Sequence, residues 1–237
     1  VKVSSERYRD SPVDGRCPAQ FTYCARMDQK EICGSERNRQ IHAKKKYLAR
    51  RQGEMQKITE IAHQLLKEHL KAGGIAVDAT CGNGFDTVFL ANLVGPKGTV
   101  HAYDIQSIAI ERTKRLAAEL GLTNIEYHWE SHENIALPKI DGVIFNLGYL
   151  PAGDKTITTE PDVVLRTVQK LLNHMDQNPN LLIVVVLYPG HEKGKKESLV
   201  LESFLSQLDS GYLVTKIVPL NQHNAPYILT IERKRPK

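Results

Sequence analysis

The chain has 237 residues, which at ~150 residues per domain is one large domain or one domain with an appendage. Apolar residues make up 41% and charged residues 25%, a balance that excludes wholesale disorder, and the formal net charge is +5. The longest strongly apolar run, Leu181 to Tyr188, is far short of the ~20 residues that span a bilayer, and the first residues lack the apolar stretch of a secretory signal.

From the N-terminus, residues 1–51 hold 13 Lys and Arg against 6 Asp and Glu, whereas the rest of the chain holds 19 against 21. The basic character is concentrated in an N-terminal arm, and such an arm attracts phosphates. Its first 40 residues show no sustained period and read as irregular. Cys17, Cys24 and Cys33 lie there without a C-x-x-C pair, so free thiols are expected rather than a zinc site, even with His42 nearby. Four cysteines in all are too few for a disulfide scaffold, and a reducing cytoplasm is the expected compartment.

From Gln52 onward the pattern changes, and residues 52–237 read as one domain. Met55, Ile58, Ile61, Ala62, Leu65, Leu66 and Leu70 recur at helical spacing up to Gly73-Gly74. Strands and helices then alternate: strand Ile75–Asp78, helix Phe85–Leu93, strand Thr99–Ile105, helix Ile108–Leu120, strand Asn124–His128 and strand Asp141–Asn146. Thr159 and Asp162 predict a capping box, with Pro161 in the first turn of a helix reaching Met175. Strand Leu181–Tyr188 and helix Lys196–Leu208 follow, and strands Tyr212–Pro219 and Tyr227–Arg233 close the chain with no helix between them.

Repeated strand–helix units specify an α/β fold with a doubly wound, mostly parallel sheet. The last two strands predict an antiparallel C-terminal hairpin. A seven-strand sheet of this kind is the Rossmann-like plan of class I methyltransferases, with a nucleotide-type ligand beyond the carboxyl ends of the first strands.

Two segments carry chemistry. In VDATCGNGFDT, Asp78 ends a strand and Gly82-Asn83-Gly84 makes a turn that lets backbone approach a ligand. Asp104 closes the next strand, where a carboxylate can accept both hydroxyl protons of a ribose, although it could also serve as a helix N-terminal charge. A dinucleotide enzyme prefers G-x-G-x-x-G, but Thr87 holds the third glycine's place. Asp86 would repel a pyrophosphate at the helix N-terminus. S-adenosylmethionine has no phosphate and carries positive groups, so it is the expected cofactor. The cofactor-binding candidates are Asp78, Thr80, Gly82, Asn83, Gly84, Asp86, Thr87, Asp104, Ile105, Gln106, His132 and Asn146. Cys81 reads as a small packing residue.

The second segment is FNLGYLP, Phe145 to Pro151. Asn146 and Tyr149 have the N-x-x-Y spacing of methyltransferases that act on amino groups of bases, with Leu147-Gly148 in place of the usual Pro-Pro. An Asn carbonyl can accept an N–H and hold an amine lone pair in line with the methyl group, and an aromatic face can support a flipped base. The bland alternative is a strand end capped by Asn with a surface Tyr. His132 follows the third strand and His191 the fifth; the first is a candidate for cofactor contact or a surface histidine, the second for substrate contact or proton acceptance.

DATCGNGFDT, YDIQ at Tyr103 to Gln106, FNLGYLPAGDK, YPGH at Tyr188 to His191 and NAPY at Asn224 to Tyr227 together resemble the MnmM-type methyltransferases. The resemblance covers about residues 45–233 and is silent on the first 40. It implies methylation of 5-aminomethyl-2-thiouridine at the tRNA wobble position, with Asn146, Tyr149 and His191 as catalytic candidates. tRNA is then the partner, with Lys44, Lys45, Lys46, Arg50, Arg51 and Lys155 as candidate RNA contacts. No metal and no membrane are expected, and a homodimer is compatible with this reading. The rivals are an rRNA or small-molecule amine substrate, and an RNA-binding module with a vestigial cofactor fold.

Overall fold

The computed structural model describes residues 58–148 and 160–234. The elements in order are α1 (Ile58–His69), β1 (Ile75–Asp78), α2 (Phe85–Val94), β2 (Thr99–Asp104), α3 (Ser107–Glu119) and β3 (Ile125–Trp129). A single 3₁₀ turn at His132–Asn134 leads towards β4 (Gly142–Asn146), followed by α4 (Pro161–Gln177), β5 (Leu182–Leu187), α5 (Glu192–Leu205), β6 (Tyr212–Ile217) and β7 (Tyr227–Arg233).

The seven strands form one sheet in the order β3-β2-β1-β4-β5-β7-β6. The first five are parallel, whereas β7 runs antiparallel to both β5 and β6. Strand order reverses between β1 and β4, and the crevice beyond the carboxyl ends of those strands is where this class of sheet binds ligands.

Alternation along the strands sorts the core into two layers. Val77, Val143, Phe145, Ile183, Val185 and Leu187 pack with Val164, Val168, Leu171 and Met175 of α4 and with Leu201 and Leu205 of α5. Ala76, Ile144, Leu182, Val184 and Val186 face the other way, against Ala62 and Leu66 of α1 and Leu90 and Ala91 of α2. Strand β5 is buried along its whole length because helices cover both of its faces, which is why its sequence is unbroken Leu, Ile and Val. Asn146 follows Phe145 and shares the parity of Ile144, so it lies on the α1–α2 side of the sheet.

Two helix starts differ from the sequence reading. Helix α4 is capped by Glu160 with Pro161 at the first helical position, which puts Asp162 one place too early for the predicted capping box. Thr159 lies outside the described residues. Helix α5 begins at Glu192 instead of Lys196 because the His191 side chain accepts the Gly194 N–H, adding a polar turn that has no apolar periodicity to reveal it. No helix among the described residues is long and apolar enough to cross a membrane.

Candidate active site

The carboxyl ends of β1, β2 and β4 and the first turn of α2 bring Asp78, Asp104, Asn146 and Asp86 into one region. Asp78 at the end of β1 is fully buried. Its Oδ2 accepts the Thr87 hydroxyl at 2.5 Å, and its Oδ1 accepts the Thr80 N–H at 3.2 Å. Burial and then the charges of Asp86 and Asp104 push the Asp78 carboxyl up to about 8. Thr87, fully buried, spends its hydroxyl proton on Asp78 and supports that carboxyl.

Asp104 ends β2. Its two carboxylate oxygens accept the Gly82 N–H at 3.0 Å and the Gln106 N–H at 2.9 Å. Burial raises its pKa, and these backbone donors oppose the rise. Asp104 thus ties the glycine turn to the start of α3, while Ile105 beside it is about half exposed. Asn83 accepts from the Arg112 guanidinium at 3.2 Å.

Gly84 has a structural reason that its motif concealed. It caps α2 with φ +82°, and a Cβ built there would lie 2.9 Å from the Thr113 Cα of α3. Its smallness serves close helix packing as well as the left-handed turn. Thr113 also donates to the Cys81 sulfur at 3.4 Å, and burial raises the Cys81 thiol pKa, so this cysteine is a packing residue as expected.

Asn146 is held on every side. Its backbone N–H donates to the Thr80 hydroxyl at 2.8 Å, and that hydroxyl donates to the Asn146 carbonyl at 3.3 Å. Its side-chain Nδ2 donates to Asp86 Oδ2 at 2.9 Å, while Asp86 Oδ1 lies 2.6 Å from His63 Nε2. One oxygen of Asp86 thus meets Asn146 and the other meets His63. Leu147 and Gly148 use what Pro-Pro lacks: the Leu147 N–H donates to Val186 at 3.0 Å, and the Gly148 N–H donates to Asn146 at 2.9 Å. A Cβ at Gly148 would touch the Tyr188 ring at 3.4 Å. Burial and the Asp86 charge push the Tyr188 hydroxyl up to about 12. Tyr188 lies inside YPGH and His63 belongs to no motif; only the fold brings Tyr188 beside Gly148 and His63 to Asp86.

The remaining candidates are placed less centrally. His132 is buried, not a surface histidine; its Nδ1 donates to the Thr167 hydroxyl at 2.8 Å, because that hydroxyl's proton goes to Val163. Burial pushes its pKa down to about 4, so the ring is neutral. His191 caps α5 through Nδ1. Asn224, φ 55°, places NAPY beside the YPGH loop: a Cβ at Gly190 would lie 3.6 Å from the Asn224 carbonyl. Tyr149, Lys155, Lys44, Lys45, Lys46, Arg50 and Arg51 lie outside the described residues. Among the described residues, His101, Glu126 and His128 form a group of metal-ligand composition on β2 and β3. His101 Nδ1 and His128 Nε2 are already hydrogen-bonded to each other at 3.1 Å, which accounts for them as a cross-strand pair.

The strand order, the antiparallel last strand and the acid-ringed glycine turn define a class I methyltransferase. Residues 100–233 match the family described as "Putative rRNA methylase", and the chain belongs to that family. A protein of Arabidopsis thaliana, the chloroplastic tRNA (mnm(5)s(2)U34)-methyltransferase, is 34% identical over 192 residues, 73% of this chain and 68% of that one. A solved Clostridium thermocellum structure bearing the same rRNA-methylase description is 34% identical with a TM-score of 0.70, covering 77% of this chain and all of that one. A Streptococcus mutans structure named as a methyltransferase, in complex with SAH, is 30% identical with a TM-score of 0.65, covering 76% of this chain and all of that one.

Proposed function

We propose that this chain transfers a methyl group from S-adenosylmethionine to the primary amine of 5-aminomethyl-2-thiouridine at the tRNA wobble position, giving 5-methylaminomethyl-2-thiouridine. The observation that carries the reading is Asn146, whose side-chain N–H₂ is tied to Asp86 at 2.9 Å, leaving its carbonyl oxygen as the acceptor for a substrate N–H. The substrate itself comes from the MnmM-type motifs and from the activity in the Arabidopsis relative's name.

The donor set fits the cofactor. Asp78, Asp86 and Asp104 crowd one another, with Asp78 held far above the ordinary carboxylate range, so the region favours a cation over a phosphate. S-adenosylmethionine, when bound, supplies a methyl carbon on a sulfonium, and the C–S bond breaks as the N–C bond forms. Asp104 at the end of β2 would take the ribose hydroxyls, with Gly82, Asn83, Ile105 and Gln106 around it. Thr80 and Asp78 hold the neighbouring loop against β4.

An alkylamine has a pKa near ~10.4 and must be presented neutral, which burial favours. Asn146 orients the amine by accepting one N–H, and the nearby Asp86 carboxylate offsets the positive charge that the nitrogen gains. A neutral primary amine is its own nucleophile, so no covalent enzyme intermediate is needed. Tyr149 would support the flipped base. Lys44, Lys45, Lys46, Arg50, Arg51 and Lys155 would hold tRNA phosphates, with residues 1–51 as a basic arm to the domain at 52–237, in the cytoplasm. Incubation with methyl-labelled cofactor and a mixture of tRNA and rRNA tests the reading. Label confined to tRNA supports it, and label in rRNA favours the rival substrate.

A further inference from the structure

The site contains a chain of three side chains drawn from three elements. His63 of α1, Asp86 of α2 and Asn146 of β4 are linked by contacts of 2.6 Å and 2.9 Å through the two oxygens of one carboxylate. His63 and Asp86 are each about 8% exposed, so the link between them lies out of bulk water, where a charge-assisted hydrogen bond is strong and directional, while the link to Asn146 is half-buried. The His63 ring cannot swing away, because it stacks on Phe89 with centroids 3.9 Å apart and planes 4° from parallel. Helix α1 is in turn anchored by Ala62 and Leu66 on the core beneath β4 and β5.

The direction of each hydrogen bond follows from its ends. A carboxylate only accepts, so Asn146 must present its N–H₂ to Asp86, and the His63 ring must present an N–H. An asparagine without that partner can turn its amide over and offer N–H₂ to the substrate. An amine hydrogen would then meet a donor, and its lone pair would point away from the methyl carbon. Asp86 prevents the flip, and His63 prevents Asp86 from rotating its carboxylate out of the Asn146 plane.

We propose that His63 is a positioning residue for methyl transfer, acting through Asp86 to fix which face of the Asn146 amide the substrate meets. This inference rests on the methyl-transfer reading above. It also gives Asp86 a part in the orientation of Asn146. Both residues precede the stretch 100–233 that matches the family, so part of the machinery lies outside the matched segment.

The test compares the full chain with its His63→Ala and His63→Gln variants in three measurements. In methyl transfer to tRNA, His63→Ala should lower kcat by ~10–100-fold, the scale of a small misplacement of reacting groups. KM for tRNA and the S-adenosylmethionine dissociation constant should stay within about twofold, because a residue that acts only through Asp86 alters orientation and not binding. His63→Gln, whose amide N–H can stand near the Nε2 position, should recover much of the loss. The third measurement needs no substrate: the side-chain ¹⁵N–H₂ resonance of Asn146, assigned by its disappearance in Asn146→Asp, should move in His63→Ala and return towards its position in His63→Gln. An unmoved resonance, or full turnover in a folded His63→Ala protein, overturns the proposal. A wild-type enzyme inactive on tRNA whose Asn146 resonance still moves in His63→Ala would refute the substrate reading and leave the positioning chain standing.

Discussion

Replacing Gly84 with alanine separates two explanations for the glycine turn. The residue has φ +82°, and its added Cβ would lie 2.9 Å from the Thr113 Cα, 3.0 Å from its hydroxyl and 3.1 Å from its Cγ2. The left-handed backbone costs ~1–2 kcal/mol for a residue with a Cβ, and overpacking adds ~1–3 kcal/mol, so Gly84→Ala should destabilise by about 2–5 kcal/mol. That is a large part of the ~5–15 kcal/mol that holds a protein together. Urea unfolding followed by circular dichroism reads it directly. Thr113→Ala in the Gly84→Ala background removes the two side-chain clashes but leaves the clash with the α3 backbone and the left-handed φ. It should recover only about 1 kcal/mol, the low end of the overpacking cost. A Gly84→Ala protein with wild-type unfolding behaviour and no S-adenosylmethionine binding would refute the packing argument and return the glycine to ligand approach alone.

Asp104→Ala removes the acceptor of two backbone N–H groups and the proposed ribose contact. Cofactor affinity measured by calorimetry should fall by about 1.5–3 kcal/mol in a folded protein, and an unchanged value would remove Asp104 from the cofactor site. His132 is held neutral with its pKa lowered from 6.5 to about 4. The unfolded chain therefore takes up the proton first, and stability present above 6.5 is lost as pH falls towards 4, by up to about 3 kcal/mol. Unfolding curves of His132→Gln across that window should show a shallower loss than wild type. Replacing Lys44, Lys45 and Lys46 with Ala should flatten the salt dependence of tRNA binding by roughly two logarithmic units per decade of salt, and an unchanged slope would leave them a solvated run.

Much of the sheet was legible because its residues obey simple rules. β1 and β7 match their predicted bounds, since Ile75–Asp78 sits between glycines and the site turn, and Tyr227–Arg233 follows a Pro-containing loop. The unbroken apolar run at β5 announced a strand covered on both faces. Polar capping was harder to see. The first turn of α5 rests on His191 and contains no apolar residue, and the cap of α4 is set at Glu160 by local backbone geometry. Asn146 was legible because strand end, amide and aromatic spacing coincide. His63 was not, because a histidine on an amphipathic helix looks like any half-polar position, and its partners lie 23 and 83 residues away in the chain.

Methyl transfer to the wobble amine is tested most directly by mass spectrometry of tRNA nucleosides, after incubation of the purified chain with S-adenosylmethionine and tRNA carrying 5-aminomethyl-2-thiouridine. This nucleoside should be converted to one heavier by a single methyl group on the amine, and Asn146→Ala should slow the conversion by at least about tenfold, the scale of lost transition-state positioning. An unaltered nucleoside, in the presence of a chain that binds the cofactor, would contradict the proposed reaction.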